Sequence, residues 1–282
     1  QEHKMIRIFI GFLLCFTFSL ASEEPLPKKP IATSGYYIVT YKNYDVNMEL
    51  SVNGYVIKDG ASNEDSSGQA DINYWIMPGK NIISVRLSER KQMKKSEIEF
   101  SPKASYDLVI GQAGQFPDEG EKFLNFEWPK DNNTTPSKEW IHLEFVPPFI
   151  PPSKLWEKAE KIELTANAKE AAMKFSEELT KALNTKDPKK IEPLIHFRTK
   201  DTSESRYYPM NEEKEKKELK NMIKAIGSSW KLNKKDVVYS LLCDNKILNI
   251  SDKKGNSILK GKNGAEIPLY LSLVEGKWII SR

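Results

Sequence analysis

The sequence predicts two domains, an all-β antiparallel sandwich followed by an α+β unit, and three observations carry that reading. From Tyr36 to Phe145 apolar residues return at every second position in short runs, the period of strands with one face buried. Val146 to Ser153 then reads VPPFIPPS. Four prolines there fix φ, remove backbone donors and push their neighbours into extended shapes, so neither a strand nor a helix continues. Beyond this joint the apolar spacing changes to threes and fours, the period of a helix with one buried face. The expected division is 1–22 signal peptide, 23–35 flexible lead, 36–145 sandwich, 146–155 proline-rich linker and 156–282 α+β domain. A chain of 282 residues is long enough to give each half a core.

The first segment is read as a secretory signal. Lys4 and Arg7 surround Met5, an apolar run follows from Ile8 to Leu20, and Ser19-Leu20-Ala21 offers small residues for cleavage. The run is short for a membrane span. Phe12-Leu13-Leu14 lacks the small residues expected before a lipidated cysteine, which argues against lipidation at Cys15. Removal of the signal leaves Cys243 alone, so no internal disulfide framework is expected. The Lys/Asn/Ile-rich composition points to a bacterial protein, periplasmic or secreted, from a Gram-negative cell. On that reading the sequons at Asn133 and Asn249 carry no sugar.

The first strand is expected at Tyr36–Tyr41. In the next, Val46, Met48, Leu50 and Val52 share one face. Asn53-Gly54 closes a two-residue hairpin, because both positions accept positive φ, and Tyr55–Lys58 returns alongside. Asp59–Gly68 is acidic and small and reads as a loop. Further strands are expected at Ile72–Met77, at Ile83, Val85 and Leu87, and at Ile98 and Phe100. Three more follow, at Tyr106–Ile110, at Leu124, Phe126 and Trp128, and at Ile141, Leu143 and Phe145. Gly111–Gly120 is a bend and Asp131–Ser137 a polar loop. His142 alternates with Ile141 and Leu143 and is expected to face solvent with Glu144.

Past the joint, Leu155–Leu164 reads as a first helical turn or a short strand. The clearest helix holds Ala168, Ala172, Phe175, Leu179, Ala182 and Leu183 on one side. Pro188 opens a shorter second helix through Ile191, Leu194 and Ile195, and Thr199–Ser205 reads as a loop. Glu212–Ile226 is a third helix, whose EEKEKKELK run is the charge pattern of a solvated face. Strands follow at Val237–Asn249, bent or split near Asp244-Asn245, then Ser257–Lys260, Ile267–Val274 and Trp278–Ser281. Glu275-Gly276 turns the last hairpin.

Two resemblances extend this reading. VNGYVIKDG and INYWIMPGKNIISVRL resemble the jelly-roll and immunoglobulin-like accessory modules of envelope proteins, over about fifty residues, and many such modules hold sugars on exposed aromatics. That resemblance makes Tyr74, Trp75, Trp128 and Trp140 candidates, against the alternative that Trp75 and Trp128 fill the sandwich. Phe175, Ala182-Leu183 and Asp187, then Pro193-Leu194-Ile195, then IPLYLSLVEGKWIISR with Asn263-Gly264 ahead of it, are similar to the nuclear transport factor two-like family. The similarity spans Ala166–Arg282. It implies a cone in which a long helix packs on a curved antiparallel sheet, and a homodimer through the open sheet face.

Enzymatic members of that family place His, Asp or Tyr inside the cone, which makes His196, Asp201, Tyr207, Tyr208, Tyr239 and Tyr270 the candidates here. His196 is expected at the end of the second helix, where a cation suits the dipole. Cys243 reads as a buried thiol within a strand. No serine-nucleophile, phosphate-loop, zinc or calcium motif occurs, so no cofactor and no metal are expected. A net charge of +4, spread evenly, argues against a nucleic-acid partner.

The expectation is therefore an exported, non-catalytic binding protein of the bacterial envelope that recognises another protein, as an immunity or inhibitor protein does. The binding candidates are Trp75, Trp128, Trp140, His196, Tyr207, Tyr208 and Tyr270. One alternative is a carbohydrate or small-ligand binder using the sandwich or the cone pocket, and a second is an enzyme with its site in the cone.

Overall fold

A computed structural model describes residues 34–60, 64–90, 101–129, 136, 138–208, 210–225, 229–262 and 264–282. The expected signal peptide, nearly all of the lead, the Ile98–Phe100 strand and most of the Asp131–Ser137 loop lie outside these residues. The fold is rich in β-structure, with four antiparallel sheets and few helices.

Among the described residues eight strands precede the joint: β1 (Tyr36–Tyr44), β2 (Asn47–Val52), β3 (Tyr55–Lys58), β4 (Ser66–Asp71), β5 (Asn81–Ser88), β6 (Lys103–Gly111), β7 (Glu121–Trp128) and β8 (Ile141–Phe145). They form two sheets of order β4-β1-β6-β7 and β3-β2-β5-β8. The twofold alternation places Val46, Met48, Leu50 and Val52 in the interior opposite Ile83, Val85 and Leu87 of the paired strand. Asn53 and Gly54 both take positive φ, 49° and 86°, and bring Tyr55 back against Val52. His142 and Glu144 are exposed, as their phase requires.

Two local expectations are corrected here. Ile72–Met77 is not a strand but carries a 3-10 turn at Asn73–Trp75. The Asn73 side chain supplies what a ladder would have. Its Oδ1 accepts from the Tyr37 amide at 2.6 Å, and its Nδ2 donates to the carbonyls of Gly35 and Ser205 at 3.1 and 2.9 Å. Ser66–Gly68, expected in a loop, begins β4, because pairing with β1 overrides the weak strand propensity of SSGQAD.

After the joint come α1 (Lys154–Lys158), α2 (Ala166–Thr185), α3 (Pro188–Ser205) and α4 (Glu212–Ala225). Thr165 caps α2 by accepting from the Ala168 amide, and Lys186, at φ 55°, ends it. Asp187 caps α3 over Pro188 in the first turn. That helix runs through Ser205, so the expected loop at Thr199–Ser205 is helical, and His196 lies mid-helix rather than at a C-terminus. Its inward positions turn polar there: Asp201 and Ser205 are buried in hydrogen bonds, which hide the continuing period from an apolar count.

Strands β9 (Lys231–Leu232), β10 (Val237–Leu242), β11 (Ile247–Asp252), β12 (Leu259–Lys260), β13 (Glu266–Ile267), β14 (Leu269–Val274) and β15 (Lys277–Ile280) complete the chain. They form sheets of order β10-β11-β14-β15 and β13-β12-β9. The expected split near Asp244 is a turn in which Cys243, Asp244 and Asn245 all have φ between 53° and 65°. Cys243 is buried but stands in this turn, not within a strand.

Apolar contact continues past the prolines. Tyr37 donates its hydroxyl to the Phe149 carbonyl at 2.7 Å and packs on that ring, which pins the joint to β1. One buried cluster takes in both N-terminal sheets and runs on through Leu155, Trp156 and Ala159 to Leu242, Cys243, Ile247 and Val274. A second cluster packs Ala172, Leu179, Leu183 and Ile191 of α2 and α3 on Leu248, Ile250, Leu269 and Leu271 of β11 and β14. Gly54, at the β2–β3 turn, faces Leu242 so closely that an added Cβ would stand 2.7 Å from its Cδ2. Among the described residues no helix is long and apolar enough to cross a membrane.

Candidate functional site

The seam between the halves is polar at its centre. Arg282 is 4% exposed and Asp201 2%, and the guanidinium Nη1 meets the carboxylate at 2.7 Å. Arg282 also donates from Nε to the Tyr74 carbonyl at 2.7 Å and from Nη1 to the Ser281 carbonyl at 2.8 Å. The same oxygen, Oδ2 of Asp201, accepts from the Ser153 hydroxyl at 2.8 Å, and Oδ1 accepts from the Leu155 amide at 3.0 Å. One carboxylate on α3 thus holds the first turn of α1 and the last residue of the sequence. Burial lowers the Arg282 pKa, Asp201 opposes that shift, and the ring of Trp156 lies 4.9 Å from the cation. A second tie, Arg206 Nε to Asp71 Oδ2 at 2.7 Å, joins the end of α3 to β4.

Beside this seam aromatic rings from both halves cluster in a half-buried patch, the junction recess. Tyr55 stacks on Trp75 with centroids 4.0 Å apart. Tyr270, from β14, meets Trp75 edge-on at 5.4 Å and Tyr55 at 5.8 Å. Tyr74 carries Arg206 over its ring at 5.5 Å. Arg198, one helical turn before Asp201, brings its charge to the phenols of Tyr55 and Tyr74.

The three tyrosines and Arg198 are half-buried, and none of the four side chains makes a hydrogen bond or ion pair among the described residues. Their polar atoms are not sealed either; Tyr106 is the described tyrosine with an enclosed, unpaired hydroxyl. Burial raises the phenols, Tyr270 to about 12, so all three carry their protons and can donate at neutral pH. Burial lowers Arg198, Tyr74 opposes that shift, and Arg282 adds to it. Three guanidinium groups therefore share this region with two carboxylates, and both carboxylates are already taken.

A cleft of about 580 Å³ lies nearby, lined by Asn53, Met77, Lys80, Trp156, Asp244 and Lys246 among others. Each of its charged side chains has a partner. Lys80 pairs with Glu144, Asp244 with Lys161, and Lys246 donates to the Trp156 carbonyl. Among the described residues the charge at the recess, on Arg198, is unmatched, and that contrast sets it ahead of the cleft.

The sequence candidates are dispersed. Trp75 and Tyr270 come together at the recess, where Trp75 is buried. Trp128 is buried among the N-terminal strands, so neither it nor Trp75 offers a free ring face to a sugar. Trp140 is half-exposed, with Arg86 4.7 Å from its ring. His196 is 40% exposed beside Glu192, at 3.2 Å, and His142 bonds Ser84 on the surface. Tyr207 packs edge-on to Tyr36 at 5.7 Å while Tyr208 is exposed. Tyr239 lies under Lys169, and Asp201 serves the seam.

Burial pushes the Cys243 thiol up to about 12, away from thiolate chemistry. Among the described residues no three His, Cys, Asp or Glu side chains are grouped to hold a metal ion.

The sequence reading did not single out Tyr55, Arg198 or Arg282. Arg198 had a signal: it stands seven positions after Ile191, on the inward face of α3 where an apolar residue is the rule. Comparison with protein-family models, curated proteins and solved structures yields no match for this chain.

Proposed function

We propose that this chain is an exported, non-catalytic recognition protein of a Gram-negative envelope. Its partner is another protein, held at the junction recess, and an immunity or inhibitor role fits such a surface. The observation that carries the reading is a set of free donors: Arg198, Tyr55, Tyr74 and Tyr270 are half-buried side chains with no hydrogen-bond or ion-pair partner among the described residues. Buried polar groups are normally satisfied, and tyrosine and arginine are the residues enriched where proteins bind one another. The seam below supports these groups on a rigid base, as a preorganised site requires. In the same proposal, residues 36–145 form an accessory sandwich and 156–282 a nuclear transport factor two-like cone, with the recess between them.

The test is affinity capture from periplasmic extract with the immobilised full chain. A specific protein should be enriched over an albumin control and lost when Tyr55→Trp fills the recess. Absence of any enriched protein overturns the recognition reading.

A further inference from the structure

We propose that the recess is a carboxylate-binding site with Arg198 as its anchor. The inference rests on the recognition reading above and names the chemistry that is recognised. A guanidinium in a half-buried setting is costly unless an anion meets it. Asp201, the nearest acid on the same helix, already holds Arg282, Ser153 and the Leu155 amide. Asp71 holds Arg206. Among the described residues Arg198 is left with phenols and a second cation for neighbours, so an anion that meets it would come from elsewhere.

The surroundings narrow its class. The planar fork of an arginine matches a carboxylate in two parallel hydrogen bonds. Protonated Tyr55 and Tyr74 add neutral donors that suit a single negative charge. The wall of Tyr55, Trp75 and Tyr270 rings favours a carboxylate carried on an apolar group. The C-terminal end of a partner chain and a small aromatic acid share that chemistry.

The proposal also explains why Arg198 stands on an inward face of α3. A residue kept for binding is one that the unliganded fold would be better without. Replacement by methionine keeps the aliphatic stem and removes the charge. A purely structural arginine would behave in the opposite way.

The experiment uses the purified full chain and four probes: an acetylated dipeptide ending in phenylalanine, the same dipeptide as its C-terminal amide, benzoate, and inorganic phosphate. Binding is read by calorimetry and by the rise in Tm. The free-acid dipeptide should bind and the amide should not. Benzoate binding as tightly as the dipeptide assigns a small acid, and tighter binding of the dipeptide assigns a chain end. Arg198→Met should weaken the carboxylate probes by about tenfold or more, the loss of one good charged contact. Without any probe, its Tm should equal or exceed that of the wild type. Arg198→Lys keeps a charge without the fork, should fold as the wild type does, and should bind with intermediate affinity, so the test survives a methionine variant that fails to fold.

Equal binding of acid and amide, a preference for phosphate, unchanged affinity in both variants, or no binding at all overturns the carboxylate site. A captured protein partner combined with any of these sinks this inference and leaves the recognition reading standing.

Discussion

Replacing Asp201 with asparagine would leave Arg282 buried without its counter-charge. Both groups are almost wholly enclosed, and their 2.7 Å contact lies under the rings of Trp75 and Trp156. Breaking a buried pair from one side costs about 3–5 kcal/mol, because the surviving charge keeps its desolvation penalty. The amide still reaches Ser153 and Leu155 in shape, but with a neutral acceptor where a charged one stood. The loss is a large share of a total stability of about 5–15 kcal/mol.

Urea unfolding followed by tryptophan fluorescence reads it directly, since two indoles flank the pair. The double variant Asp201→Asn, Arg282→Met should recover much of the loss, because no uncompensated charge remains, so the two changes should be strongly non-additive. A single-variant loss below about 1 kcal/mol, or strictly additive costs, would refute the claim that this pair clamps α1 to the end of the chain.

Three further outcomes follow from the geometry. Gly54→Ala places a Cβ 2.7 Å from Leu242 at a φ of 86°, and should cost about 1–3 kcal/mol by chemical denaturation, as strained turn positions do. Cys243 should resist alkylation in the folded chain at pH 8 and react at once in urea, because burial holds its thiol near 12. Stability should fall in alkali. Cys243, ordinarily near 9.0, and Tyr37 and Tyr270, ordinarily near 10.0, are each raised to about 12 by burial. The unfolded chain therefore gives up these protons first. The contribution is intact below about pH 9 and is lost as pH climbs to about 12, and a Tm flat across that window would contradict the assigned burial.

What was legible in the sequence is what neighbouring residues settle among themselves. Val46 to Val52 announce a strand because side chains alternate across a pleat. Asn53-Gly54 and Glu275-Gly276 announce turns because few residues accept positive φ, and Pro188 announces a helix start because its fixed φ suits the first turn. The later course of α3 was not legible, since its inward side chains there are polar and their burial depends on partners far along the chain. The same holds for Asn73, whose amide replaces a strand only because Tyr37, Gly35 and Ser205 surround it. The recess is the extreme case: Tyr55, Tyr74, Arg198 and Tyr270 sit on four elements with no shared motif or spacing. Periodicity reports which way a side chain points, whereas a site also depends on what stands opposite, and only packing across the seam supplies that.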